Sequence, residues 1–406
     1  QSTLGGRTAS AGVINILTQK PTETFQGNFS ATLTNDGERR LSGTFSGPIN
    51  DSLLYSISGY KNERQYPIFN LDNGQHSKSD SDGFRGKLLL KVDRDTDVTL
   101  FGKVSNAGST GETFTYQYLT PGAVLFPYLP WNQAGFTQAQ AFPGVKVGFG
   151  NTNYYSPVPM ASQVHATELG LTVEHRFDGY TLTYTGASQK ERSHMVQDVT
   201  EQATYFLNTA PFTPPFYNMS DIVMQPTSTT HELKIASPTD RFVSYVAGIF
   251  YSDVNVTEKV TRAMFVNPDN VYVTSDTKST ALYGRATWNL APSTSLLTGL
   301  RYGVDTISYT NYSYDSSSGS AASDKSHALV GDMTLRQKLD ANSMVYGTVS
   351  KGYKPRAFNT AATPSSTALT PVEKEDIRNF ELGSKNTFLD GRWHLNVALF
   401  DTVYSN

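Results

Sequence analysis

The sequence predicts an all-β fold, a transmembrane antiparallel up-and-down β-barrel, from three observations. Connections between strand-like runs alternate between very short and long. Within several runs, apolar residues occupy every second position while charged ones stand between them. Several runs are also about 14 residues or longer, well beyond the usual 5 or 6 of a globular strand. A membrane barrel with tight turns on one rim and long loops on the other gives this layout.

The runs follow one another from Gln26. The first short connection is Gly47-Pro48-Ile49-Asn50-Asp51, followed by a polar stretch near Asn70 to Asp80 and then by Asp93-Arg94-Asp95. A long segment from about Gly108 to Ser162 precedes Phe177-Asp178-Gly179, and another from about His194 to Thr227 precedes Ser237-Pro238-Thr239-Asp240. A medium segment near Val260 to Ser275 leads to Ala291-Pro292-Ser293, and two further rounds end in Leu389-Asp390-Gly391. Asp36-Gly37 reads as a turn. Val164 to Phe177, Tyr180 to Ser193 and Phe242 to Val256 are the long strands, in a total of about fifteen. An odd count, against the even one of single-chain bacterial barrels, is expected of a chain that stops before its barrel closes.

Alternation fixes which face meets lipid. From Gly83 to Val92 one face carries Phe84, Gly86, Leu88, Leu90 and Val92, and the other carries Arg85, Lys87, Leu89 and Lys91. From Ala281 to Leu290 the apolar face is Leu282, Gly284, Ala286, Trp288 and Leu290, opposite Tyr283, Arg285, Thr287 and Asn289. The next run sets Leu296, Leu300, Tyr302 and Val304 against Gly299, Arg301, Gly303 and Asp305. Charged side chains at alternate positions deep in a strand need water on that side. In a soluble sandwich it is the outer surface, and in a large barrel it is the lumen, which makes Arg85, Arg285 and Arg301 candidate lumenal cations.

Composition narrows the classes. No run approaches the roughly 18 consecutive apolar residues of a membrane helix, so any crossing is made by strands. The mean hydropathy of -0.38 and the 38% hydrophobic content suit a barrel whose lumen and loops dilute its apolar band. Aromatic residues make up 12%, with 23 Tyr and 22 Phe, enough for girdles at two lipid interfaces. A net charge of -3 without a Lys/Arg cluster argues against nucleic acid. Having no Cys excludes disulfides, Cys-ligated zinc and thiol catalysis. The seven His are scattered without metal-ligand spacing, and Glu373, Glu375 and Asp376 match no catalytic motif. Neither an enzyme nor a bound cofactor or metal is expected.

The opening, Gln1-Ser2-Thr3-Leu4-Gly5-Gly6-Arg7 through Gly12-Val13-Ile14-Asn15-Ile16 to Pro21, is not a barrel strand. It resembles the closing segment of the plug domain of TonB-dependent outer-membrane receptors. Ser42 to Ile49 with Leu54 to Arg64, Lys351-Gly352-Tyr353-Lys354-Pro355-Arg356-Ala357-Phe358-Asn359, and Glu381-Leu382-Gly383-Ser384-Lys385 with Leu389 to Tyr404 resemble barrel segments of the same family. Gly5, in place of the family's common aromatic residue, and Arg356, in a Gly-rich corner, depart from its pattern.

The resemblance implies a plug end over 1–22 and the N-terminal part of a barrel over 23–406, about 15 of some 22 strands. It also implies an outer-membrane location and an active importer, a ferric siderophore being the foremost substrate. TonB, with ExbB and ExbD, would engage an N-terminal part that the sequence does not contain. Haem, cobalamin, oligosaccharides and plant aromatics stay open as substrates, as do a passive porin-like barrel and a soluble β-rich carbohydrate-binding protein. On this reading the tight turns face the periplasm and the aromatic-rich long segments face outward. Tyr116, Tyr118, Tyr128, Trp131, Phe212, Phe216 and Tyr217 are therefore candidate substrate contacts, suited to a flat, partly apolar ligand. The bland alternative is that they pack the loops together. Arg7 and Glu381 are expected to tie plug to barrel.

Overall fold

The fold is known from a computed structural model that describes residues 16–118, 144–198, 219–264, 267–314, 317–359 and 369–405. Among the described residues there are sixteen strands. The first five are β1 (Gln26–Leu33), β2 (Glu38–Pro48), β3 (Leu53–Asn70), β4 (Gln75–Lys91) and β5 (Thr96–Thr110). A two-residue β6 (Asn153–Tyr154) precedes β7 (Ala161–Phe177), β8 (Tyr180–Asp198), β9 (Met219–Ala236) and β10 (Val243–Met264). The remainder are β11 (Asn267–Ala291), β12 (Thr294–Ser313), β13 (Ser318–Lys338), β14 (Ser343–Lys354), β15 (Glu375–Phe388) and β16 (Trp393–Ser405).

Fifteen of them form one sheet in chain order, each antiparallel to the next, and β6 alone leaves the path to pair in parallel with the end of β3. The fifteen-strand expectation and the up-and-down order both hold. Seven tight turns lie along one rim. The β7–β8 turn has Asp178 and Gly179 at positive φ (48° and 79°), the two-residue hairpin geometry that matches strand twist.

Registered pairs show the sheet to be turned inside out relative to a soluble protein. Leu233, Ile249, Leu282, Tyr302 and Leu329 form one continuous cross-strand row from β9 to β13. Leu282 is 61% exposed. One residue along the chain, on the opposite face, Tyr283 pairs with Arg301, which is only 3% exposed. An arginine is hidden and a leucine bared because the apolar side contacts lipid and the polar side is where water and polar partners are available. Phe29, Phe45, Ile57, Phe84, Leu88 and Leu100 extend the exposed apolar face to β1–β5.

Aromatic rings cluster at the turn rim. Phe177 stacks on Tyr180 at 5.8 Å, Tyr180 lies 6.5 Å from Tyr245, and the Arg241 guanidinium sits 5.5 Å over the Tyr180 ring. Such amphipathic rings fit a lipid–water boundary.

The opposite rim differs from the sequence reading. The polar stretch near Asn70 to Asp80 is a strand continuation with its turn at 71–74, and the medium segment near Val260 to Ser275 is strand, paired as far as Met264 with Asn267. Likewise β8 runs to Asp198 and β9 starts at Met219, so the second long segment is shorter than expected. Beyond the membrane both faces of a strand meet water, so apolar alternation stops while the hydrogen-bond ladder continues. Periodicity therefore marked the lipid-crossing part only.

Replacing lipid-facing Leu300 with Arg should lower stability by roughly 2–4 kcal/mol when the full-length protein is refolded into bilayers, as for charges at the midplane of other membrane barrels. Denaturant titration in liposomes checks this, with lumen-facing Thr287→Arg expected to cost much less.

Candidate functional site: the lumenal wall and the outer rim

Alternate residues of β9–β14 build one wall of the lumen. Arg301 lies against the rings of Phe250 and Tyr283, 5.6 and 5.8 Å from their centroids. A flat, weakly hydrated guanidinium tolerates such a setting better than an ammonium. Tyr283 reaches across Gly248, where an added Cβ would stand 2.6 Å from the phenol oxygen, and donates to Glu232 Oε1 at 2.7 Å. Four residues after Arg301 on the same face, Asp305 accepts from Ser279 Oγ at 2.6 Å and from Tyr353 Oη at 2.5 Å. Arg285 donates to Asp332 Oδ2 at 3.1 Å. Glu232, Asp305, Asp332, Arg285 and the phenols of Tyr283 and Tyr353 are thus partnered across strands, which removes much of the cost of burying them.

The wall formed by β4, β5 and β7 is arranged differently. The segment before β1 lies along it. Lys87 donates to the carbonyl oxygens of Thr18 and Gln19 at 3.3 and 2.9 Å and to Thr18 Oγ1 at 2.5 Å. Lys20 pairs with Glu174, and Lys91 Nζ meets Glu23 Oε1 at 2.6 Å. The Lys91 contact holds the Glu23 carboxyl below the usual carboxylate range. Between this segment and β1–β4 is a cavity of about 510 Å³, lined mainly by hydroxyls and amides together with Arg85, Lys87 and Lys20.

At the outer rim the described part of the β5–β7 connection folds onto the β3–β4 hairpin. Val145 packs against Leu71, Tyr116 and Tyr155. The Asn70 side chain makes paired bonds with the Ser156 backbone at 2.8 and 3.2 Å, and Ser156 Oγ donates to Asp198 Oδ2 at 2.5 Å. Gly111 permits this fold: φ is 80°, and an added Cβ would stand 2.5 Å from Ser77 Oγ and 2.8 Å from the Tyr154 hydroxyl. Burial pushes the Tyr154 phenol above its ordinary range. Across the mouth, Phe358 stacks on lumenal Tyr309 at 5.6 Å. Arg356 binds Glu373 Oε2 at 2.6 Å and Asp324 Oδ2 at 3.1 Å. Both carboxylates hold its guanidinium protonated above the ordinary range.

The sequence candidates therefore fall in different settings. Arg285 and Arg301 belong to the partnered wall and Arg85 to the other. Glu381 accepts from Tyr346 Oη at 2.6 Å. Tyr116 packs within its loop, whereas Tyr118 is 72% exposed. Arg7, Tyr128, Trp131, Phe212, Phe216 and Tyr217 lie outside the described residues. Lys103 was not named from sequence, Asp305 was read only as a polar-face residue, and Tyr353 only as part of a family-like segment. Alternation could have placed Lys103 on the charged face, but Tyr353 enters the lumen only because β14 leaves β13 after the Gly331–Lys351 pair.

The family model for the TonB dependent receptor-like β-barrel matches residues 105–406. The chain belongs to the TonB-dependent receptor family. Its members are outer-membrane transporters and receptors, not enzymes, and the chain is an outer-membrane barrel segment accordingly. The pesticin receptor of Yersinia pestis is 24% identical over 393 residues, 95% of this chain and 52% of that protein. Among solved structures, the ferric yersiniabactin uptake receptor of Yersinia pestis aligns with a TM-score of 0.76 at 18% identity, covering 96% of this chain and 56% of that one. The siderophore receptor PiuA of Acinetobacter baumannii gives 0.73 at 13% identity, covering 94% and 57%. The chain spans about half the length of the curated relatives it matches.

Asp305→Ala strips two buried hydroxyls of their acceptor, and each orphaned donor costs about 1–3 kcal/mol. The thermal unfolding midpoint of the full-length receptor should fall accordingly, with Asp305→Asn falling less because its amide oxygen still accepts.

Proposed function

We propose that the whole protein is a TonB-dependent outer-membrane importer of a ferric siderophore. The single observation that carries this is family membership together with the character of the aligned structures, which include receptors for ferric yersiniabactin, ferripyoverdine and alcaligin and a ferric-catecholate import receptor. The sequence reading of 1–22 as a plug end and 23–406 as barrel is supported by the bonds from Lys87, Lys91 and Glu174 to residues 18–23. A passive porin has no such segment in its lumen. In this reading Arg7 and Glu381 help dock the plug, and loop aromatics including Tyr118, Tyr128, Trp131, Phe212, Phe216 and Tyr217 contact the chelate. TonB, energised through ExbB and ExbD, would act on an N-terminal part outside this sequence.

Deleting the gene for the full-length protein should abolish uptake of at least one radiolabelled iron chelate, and only in cells with TonB and a proton gradient. Unchanged uptake of every chelate tested removes the iron reading.

A further inference from the structure

In the β4–β5 part of the lumenal wall, like charges are brought face to face. Arg85 of β4 is directly opposite Lys103 of β5, and Lys87 lies two residues along the same face. Like charges opposite one another on neighbouring strands are destabilising. Elsewhere the lumenal and rim arginines meet carboxylates: Arg285 meets Asp332, Arg176 meets Asp97, and Arg356 meets Glu373 and Asp324. Arg85 and Lys103 have no ion pair or hydrogen bond among the described residues, and Glu168, opposite Lys103 on β7, forms none with it. Both cations are half-buried. The hydroxyls of Ser56 and Ser58 stand opposite Lys87 and Arg85 on β3. They line the 510 Å³ cavity together with Arg85 and Lys87, and Ser58 and Arg85 also line, with Lys103, a second cavity of about 290 Å³.

We propose that Arg85 and Lys103, with the Ser56 and Ser58 hydroxyls, form a polyanion subsite on the lumenal wall, separate from the outer-rim loops. Its ligand is a compact, multiply charged oxyanion: the carboxylate or phenolate face of an anionic iron chelate on its way through the barrel. A bound oxyanion resolves the like-charge opposition and accepts from guanidinium, ammonium and hydroxyl donors together. Arg301 and Arg285 are unsuited to this task because the wall already holds them. The choice of an iron chelate rests on the import reading; the anion site itself does not.

The test uses purified full-length receptor and inorganic pyrophosphate as probe. Lysines are acetylated briefly with and without the anion, and their labelling is read by mass spectrometry. Pyrophosphate should reduce labelling of Lys103 several-fold and leave Lys278 on the outer face unchanged. Protection should vanish in Arg85→Gln and persist in Arg85→Lys. Equal labelling of Lys103 with and without pyrophosphate overturns the proposal. So does a Lys103 already unreactive in anion-free protein, because the rest of the receptor then neutralises the patch. If Arg85→Gln fails to fold, protection in the unmutated protein and in Arg85→Lys decides. Failure of the import reading appears in chelate uptake and leaves this labelling result untouched.

Discussion

Inside a bilayer no water is available to a backbone N–H or C=O, and that one constraint organises the molecule. Each group must be satisfied by a neighbouring strand, so the chain runs up and down, with every strand from β1 to β16 on the sheet path beside its sequence neighbour. Period-two geometry then divides every strand between lipid and lumen. Leu282 must be apolar because it points out, and Arg285 is tolerated three residues later because it points in and finds Asp332. The same ladder explains strands as long as the 25-residue β11. Its pairing is as good in water above the membrane as within it.

Much of this was legible in the sequence because membrane crossing imposes a period. The strand order, the turn rim, the lipid face of β4, β11 and β12 and the family motifs at both ends were all readable. The outer rim was harder to read. Asn70 gives no local sign that it will clamp Ser156 86 residues away, and Tyr154 gives none that it will be buried beside Gly111. Such contacts depend on how a loop crosses strands, and turn chemistry alone does not encode that. Loop lengths were overestimated for the related reason that polar strand ends look like loops.

The lumen has two electrostatic characters on one sheet. Along β9–β14, cations, carboxylates and phenols have found one another, and aromatic rings cover what remains. Along β4–β7, positive groups outnumber their partners among the described residues, and the described part of the segment before β1 takes up Lys87 and Lys91. On the proposed reading, a wall whose carboxylates and phenols are largely partnered beside a more cationic one suits the passage of an anion. The family's transport role gives that asymmetry a use.

The central claim is that the alternating faces meet lipid and water. Because the sequence contains no Cys, single cysteines placed in turn at 281–290 of the full-length protein can carry spin labels without background. In bilayers, accessibility to oxygen should peak at 282, 284, 286, 288 and 290, and accessibility to a water-soluble nickel chelate at the positions between them. Loss of this two-residue alternation, or equal access of the nickel chelate to both faces, would contradict the account.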